Sequence, residues 1–249
     1  MNWRPVHLDY ILDTYNPFDK RVLLSLLLWI IVISASIAAS IQIVPDDWIN
    51  PSGQKVRLMD FFILNPAMLI AVITLFWFGF EWAFIPVFLS MFIIGVFSNL
   101  DPLWAILFGM SFTFGLSIYA IVYHCIKTDY TLRSVKSVII YIVTSFIAST
   151  ASSLGTFIWS LEHNITAAET ASIWNSWWSG SFLQAVLLSG AILFVFSPTV
   201  EKWKSKFFEI PSRSEVSTKW VYSTVVLITI VISVFIFSSD YLGKKRVSE

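Results

Sequence analysis

The stretch Trp174-Asn-Ser-Trp177-Trp178-Ser-Gly180-Ser-Phe-Leu-Gln184 gathers the residues of this chain best suited to hold a small molecule. Trp174, Trp177 and Trp178 offer broad amphipathic rings that suit the boundary between a membrane and water, and the Gln184 amide can both donate and accept hydrogen bonds. An apolar run follows Gln184, and in hydrocarbon such an amide has no water to bond, so it must find another partner. The chemistry open to this set is binding, with apolar walls and a few directed hydrogen bonds. The same residues also fit an aromatic belt followed by a polar contact between helices.

Other chemistry has little support. His7, His124 and His163 fall in three separate regions, which argues against a metal centre, and the single cysteine, Cys125, excludes a disulfide framework or a cysteine-pair metal site. There is no phosphate-binding glycine loop and no serine-elbow motif, so no enzyme activity and no cofactor is expected of this segment. The last apolar run has no lysine for a retinal Schiff base. Acids and bases sit at the ends of apolar runs or between them, which disfavours an ion or proton path.

The elements that must position these residues are membrane helices. Of the 249 residues, 57% are hydrophobic, 17% aromatic and only 13% charged, and the mean hydropathy is +0.75. That composition defines an integral membrane protein. The 16 basic and 16 acidic residues cancel, so no global field favours nucleic acid. Residues 1–20 read as a cytoplasmic amphipathic segment at the interface, or a loosely held tail, with Trp3, Val6, Tyr10 and Ile11 roughly on one face and a stop at Asn16-Pro17. Residues 21–200 carry six spans, near 21–44, 61–78, 83–97, 103–123, 138–159 and from the tryptophan motif to about 196, where Ser197-Pro198 ends the last of them. Residues 201–219 form a basic cytoplasmic linker, and 220–249 a seventh transmembrane helix and tail leading to a downstream region. The expected fold is thus an all-α polytopic helical bundle of six spans plus a seventh.

Lysine and arginine concentrate in the amino terminus and in the fourth-to-fifth and sixth-to-seventh connections, and the fifth-to-sixth loop has none. The positive-inside rule then places the amino terminus in the cytoplasm and the tryptophan motif outside, with Lys244-Lys245-Arg246 after the seventh run as the one violation. In this orientation Gln42, Asn65, Ser152, Thr156 and Gln184 share the outer half of the membrane. Ser145, Ser149, Ser152 and Thr156 recur at steps of four, three and four and so occupy one helical face, expected to point inward. Trp48 in the first outer loop, with Trp159, Trp174, Trp177 and Trp178, would complete a cup with polar and aromatic walls, the usual make-up of a small-molecule site.

The Asp101-Pro102-Leu-Trp104-Ala-Ile-Leu-Phe-Gly109 turn, the hairpin around residues 79–99 and the Trp-Trp-Ser-Gly lead into the sixth span resemble the MASE-type membrane sensor domains at the amino termini of bacterial histidine kinases and diguanylate cyclases. The chain is also similar to the substrate-binding S components of ECF transporters, whose first span carries a small-residue patch matched by Ala35 and Ala39. At the position where many MASE-type domains have Gly-Asp after the tryptophan pair, this chain has Gly180-Ser181. The resemblance spans about residues 20–200. It implies a sensory module of the bacterial inner membrane with a ligand under the first outer loop. Trp48 would act as lid, Gln42, Asn65 and Gln184 as hydrogen-bond partners, and the other tryptophans as walls. The expected partners are a small-molecule ligand, membrane lipid and, through the seventh helix and a following domain, a second copy. A transporter subunit toggling through the Ala35/Ala39 face, and a plain membrane anchor, are the alternative readings.

Overall fold

The structure is a computed structural model that describes residues 3, 5–43, 65–126 and 128–208. Among these the chain is all-helical: α1 (Leu8–Thr14), α2 (Lys20–Ile43), α3 (Pro66–Trp77), α4 (Phe80–Phe97), α5 (Pro102–Cys125), α6 (Val135–Ser152), α7 (Gly155–Glu162), α8 (Ala167–Leu183), a π-helical segment Gln184–Ser189, and α9 (Gly190–Phe208). Lys20–Gln42, Phe80–Phe97, Pro102–Cys125, Val135–Glu162 and Ala167–Phe208 are each long and apolar enough to cross a membrane. The chain is therefore a multi-pass membrane protein.

Three expectations change in detail. The described part of the second span, α3, has 12 residues, about 18 Å of helix against a hydrocarbon core of about 30 Å. Its start, Trp48 and the seventh apolar run lie outside the described residues. The fifth span is two helices, broken at Ser153–Leu154, and the break coincides with a close approach of Gly155 to α5, where an added Cβ would lie 2.6 Å from Ser111 Oγ. Ser197-Pro198 does not end the sixth span, because α9 continues through Pro198 to Phe208. A proline removes one intrahelical bond. Burial of Lys204 and Phe208, about two and three turns further on, holds the helix together.

Local signals explain the helix starts. Asn65 caps α3 by accepting the Met68 N–H at 3.0 Å, with Pro66 at the first helical position, and Ser134–Ser137 and Thr166–Glu169 form capping boxes on α6 and α8. The helices run up and down between two ends. At one end, called proximal, lie the amino-terminal segment, the turn at Gly79, the α5–α6 connection and the last turn of α9. At the other, distal end, His163 Nε2 lies 3.1 Å from the Ser98 carbonyl, joining the α7–α8 connection to the α4–α5 turn. Helix α5 packs against α4, α6 and α7. Small residues set the α5–α6 spacing, since a Cβ on Gly115 would stand 2.6 Å from Ser152 Cβ and 2.7 Å from the Ala148 carbonyl.

The amino-terminal segment docks on the proximal end of the bundle. Val6 donates its N–H to the Phe78 carbonyl at 2.7 Å, Trp82 Nε1 donates to the Val6 carbonyl at 2.7 Å, and Trp3 Nε1 donates to the Leu75 carbonyl at 3.3 Å. Val6, Ile11, Val22, Trp82 and Phe208 form one buried cluster. The Glu81 carboxylate accepts the Leu8 N–H at 2.7 Å, placing a negative charge at the start of α1, where the helix dipole favours it. The docking needs Gly79, whose φ is +121° and whose missing Cβ would sit 2.8 Å from Pro5 Cβ. Gly79→Ala is expected to cost about 1–3 kcal/mol, read as a lowered Tm, from backbone strain together with the clash.

A buried ionic knot closes the proximal end. Lys204, 1% exposed, pairs with Glu201 and donates to the Trp77 carbonyl at 2.9 Å, and the Tyr130 hydroxyl donates to the same Glu201 oxygen. Burial, and then the Glu201 carboxylate beside it, push the Tyr130 phenol far above its usual range, so it remains a hydrogen-bond donor. Trp77 Nε1 donates in turn to Ser197 Oγ at 3.1 Å. Helices α3 and α9 and the α5–α6 connection are thus tied at one point.

Candidate functional site

Asn65 spends its side-chain oxygen on the Met68 N–H, and its carbonyl accepts the Leu69 N–H at 3.1 Å with a lone pair to spare, so its own N–H is the group left to be satisfied from outside the helix. Gln184 does this. Its amide oxygen accepts the Asn65 N–H at 2.6 Å and its amide nitrogen donates to the Asn65 carbonyl at 2.6 Å. Both residues are 5% exposed. An amide side chain matches a peptide edge in this way because it carries the same donor and acceptor at the same spacing. In a membrane interior unsatisfied peptide groups are costly, so this clasp fixes α3 to the middle of the sixth span. Asn65 Nδ2 lies 3.6 Å from Met91 Sδ on α4. Met91 is seven residues before the end of α4 at Ser98, so the clasp lies about 10 Å below the distal end of that helix.

Gln184 is also the first residue of the π-helical segment. Such segments widen the turn by one residue, often at functional sites, and shift carbonyls out of the α-helical register. Here the Ala185 carbonyl accepts a hydrogen bond from the Tyr141 hydroxyl at 2.8 Å. Beside the clasp lies a crevice of about 180 Å³, counted with its open side, lined by Met68, Leu69 and Val72 of α3, Ser181 of α8, and Gln184, Ala185 and Ser189 of the π segment. None of these is charged. Ser181 is 5% exposed, and its hydroxyl is buried without a hydrogen-bond partner. Among the described residues no group of three or more His, Cys, Asp or Glu could hold a metal ion.

Of the residues singled out in the sequence, Asn65 and Gln184 meet directly. Ser152 and Thr156 are fully buried on the inward face of α6 and α7, as are Ser145 and Ser149, but Ser152 abuts Gly115 and neither it nor Thr156 lines the crevice. Trp177 is 1% exposed and packs edge-on to Phe108, with ring centroids 5.8 Å apart, and against Phe112. Trp178 turns the other way, toward Phe146 at 5.4 Å, and Trp174 sits between Phe157 and Trp178. Trp159 stacks on His163, with centroids 4.4 Å apart. Gln42 is exposed at the end of α2. Ala35 is exposed and Ala39 half-buried, because the face of α2 turned to the bundle is the stripe Val22, Ser25, Ser36 and Ser40, with Ser36 Oγ 2.8 Å from Ser90 Oγ of α4. Trp48 lies outside the described residues.

Ser181, Ser189 and the α3 wall of Met68, Leu69 and Val72 escaped the sequence reading. Ser181, Gln184 and Ser189, at steps of three and five, spread over about 140° of an α-helix, so the periodicity that selects Ser145 to Thr156 does not select them, and it is the wider π turn that brings Ser189 toward Gln184. The fold and site together define a multi-pass, all-helical membrane protein with an uncharged crevice within its bundle. No protein-family model matches the chain, and no curated protein or solved structure was found to match it.

Proposed function

We propose that this chain is the membrane-integral ligand-sensing module of a bacterial signal-transduction protein of the histidine kinase or diguanylate cyclase type. It lies in the inner membrane with its amino terminus and proximal end cytoplasmic, in keeping with the lysines and arginines of the connections. The observation that carries the reading is the clasp between Gln184 and the Asn65 backbone, set at the head of a π segment and opening onto the crevice. A ligand in the crevice contacts Gln184, so it can favour an arrangement in which the π segment and α9 move relative to α3. Only a ligand with different affinity for two arrangements can signal. Helix α9 then carries the change to the ionic knot at Lys204 and onward to the seventh apolar run.

A transporter subunit is a second reading, favoured by one feature: Ala35 is exposed on α2, leaving the small-residue face open to an energising partner. The two separate by partner, since co-purification of a nucleotide-hydrolysing pair would favour transport.

Thermal-shift screening of the purified chain in lipid nanodiscs against a panel of small neutral compounds tests the sensing role. Compounds that raise the Tm of the wild type are expected to lose most of that effect on Gln184→Ala. Equal shifts in the two proteins would overturn the role of Gln184.

A further inference from the structure

The crevice carries more information about its occupant than its polarity alone. Its enclosed space is about 10 Å³, room for a single water-sized group. It can therefore take part of a molecule and must leave the rest outside. Its surroundings indicate where that remainder lies. Leu183, Leu187 and Leu188, next to the lining residues of α8 and the π segment, are 36%, 63% and 45% exposed, and Leu69 on the facing wall is half-buried. On stretches apolar enough to cross a membrane, exposed leucines meet acyl chains rather than water. No charged side chain lines the crevice to compensate an ion, and burying an unpaired charge is strongly unfavourable. Two lining hydroxyls have no hydrogen-bond partner, those of Ser181 and Ser189; Ser189 is fully buried, whereas Ser181 is 5% exposed and is the one a ligand reaches.

We propose that the crevice takes the head of a neutral, bilayer-dissolved amphiphile, a long-chain alcohol or a molecule with an equivalent single hydroxyl or carbonyl, which enters sideways from the membrane. Ser181 Oγ hydrogen-bonds the head, Met68, Leu69 and Val72 pack on the first methylenes, and the rest of the chain stays among the lipids beside Leu187 and Leu188. This rests on reading the crevice as the sensor's ligand site and adds the class of ligand and its route.

The test uses the full chain in dioleoylphosphatidylcholine nanodiscs, with 1-decanol and n-decane as probes at equal mole fraction in the bilayer. General effects on the lipid are shared by all variants, so the quantity read is the Tm shift with decanol minus that with decane. A positive difference of a few degrees is expected for the wild type. It should vanish in Ser181→Ala, which removes one oxygen from a small side chain, and fall in Leu69→Phe, which narrows the mouth at a half-buried position. No difference in the wild type, or an undiminished difference in Ser181→Ala, would overturn the proposal. If decanol fails while a water-soluble compound acts through Gln184, the ligand class and route fall and the sensing role stands; failure of both overturns both.

Discussion

Lys204→Ala is expected to destabilise the bundle by about 3–5 kcal/mol, the range found when one partner of a buried ion pair is removed. The ammonium is buried against Glu201 and the Trp77 carbonyl, and its loss leaves the Glu201 carboxylate, 12% exposed, with the Tyr130 hydroxyl as its remaining named donor. The carboxylate then carries an uncompensated charge where water is scarce. The double variant Lys204→Met with Glu201→Gln removes both charges at similar volume, and should recover most of the loss, because an ion pair and its neutral replacement are often close in energy. Thermal or denaturant unfolding of the purified protein in detergent checks both. A Lys204→Ala protein as stable as the wild type would show that the knot does not hold the proximal end.

Gly115→Ala is expected to be the most damaging of the glycine substitutions in the transmembrane core, at about 2 kcal/mol net. Two effects oppose each other. Replacing glycine by alanine inside a helix gains about 1 kcal/mol from backbone propensity, whereas forcing a methyl into a filled interface typically costs about 1–3 kcal/mol and occasionally more. At Gly115 the added carbon meets the Ala148 carbonyl at 2.7 Å and the Ser152 backbone nitrogen at 3.1 Å, and backbone atoms cannot rotate away as a side chain does. Helices α5 and α6 must separate, so the clash wins. Gly190→Ala is the contrasting case. Its nearest neighbour outside its own helix is the Tyr141 ring at 3.3 Å, and its change should stay within about 1 kcal/mol of zero. The pair of Tm values tests the argument, and an equal loss at both sites would contradict it.

Much of this was legible in the chain. The four-three-four spacing of Ser145, Ser149, Ser152 and Thr156 identified a buried face because helical periodicity alone decides it. Asn65-Pro66 carried a helix-start signal in its capping chemistry, although the span was expected from about residue 61. Gln184 was recognisable as a buried amide in need of a partner, but a side chain that pairs with a peptide leaves no complementary residue type in the sequence, so the partner was not. Trp177 and Trp178 read as one aromatic wall, yet adjacent residues on a helix diverge by about 100°, and the structure sends one into the core and the other toward Phe146. Lys204 read as part of a basic linker because Pro198 looked like a helix end, and only tertiary packing shows the helix continuing to a buried ammonium. The amino-terminal segment was ambiguous for the same reason: its apolar residues fit a lipid surface as well as the apolar cluster with Phe78, Trp82 and Phe208.

The central claim is that the clasp at Gln184 and Asn65 governs the arrangement of α9 as far as the proximal end. Hydrogen–deuterium exchange of wild type and Gln184→Ala in lipid nanodiscs measures this without a ligand. Loss of the clasp is predicted to speed amide exchange at the start of α3, through residues 184–189, and onward along α9 to its last two turns, which hold Glu201, Lys204 and Phe208. Faster exchange confined to the start of α3 and the π segment, with α9 beyond Gly190 unchanged, would contradict the claim and leave the clasp a local fastening between two helices.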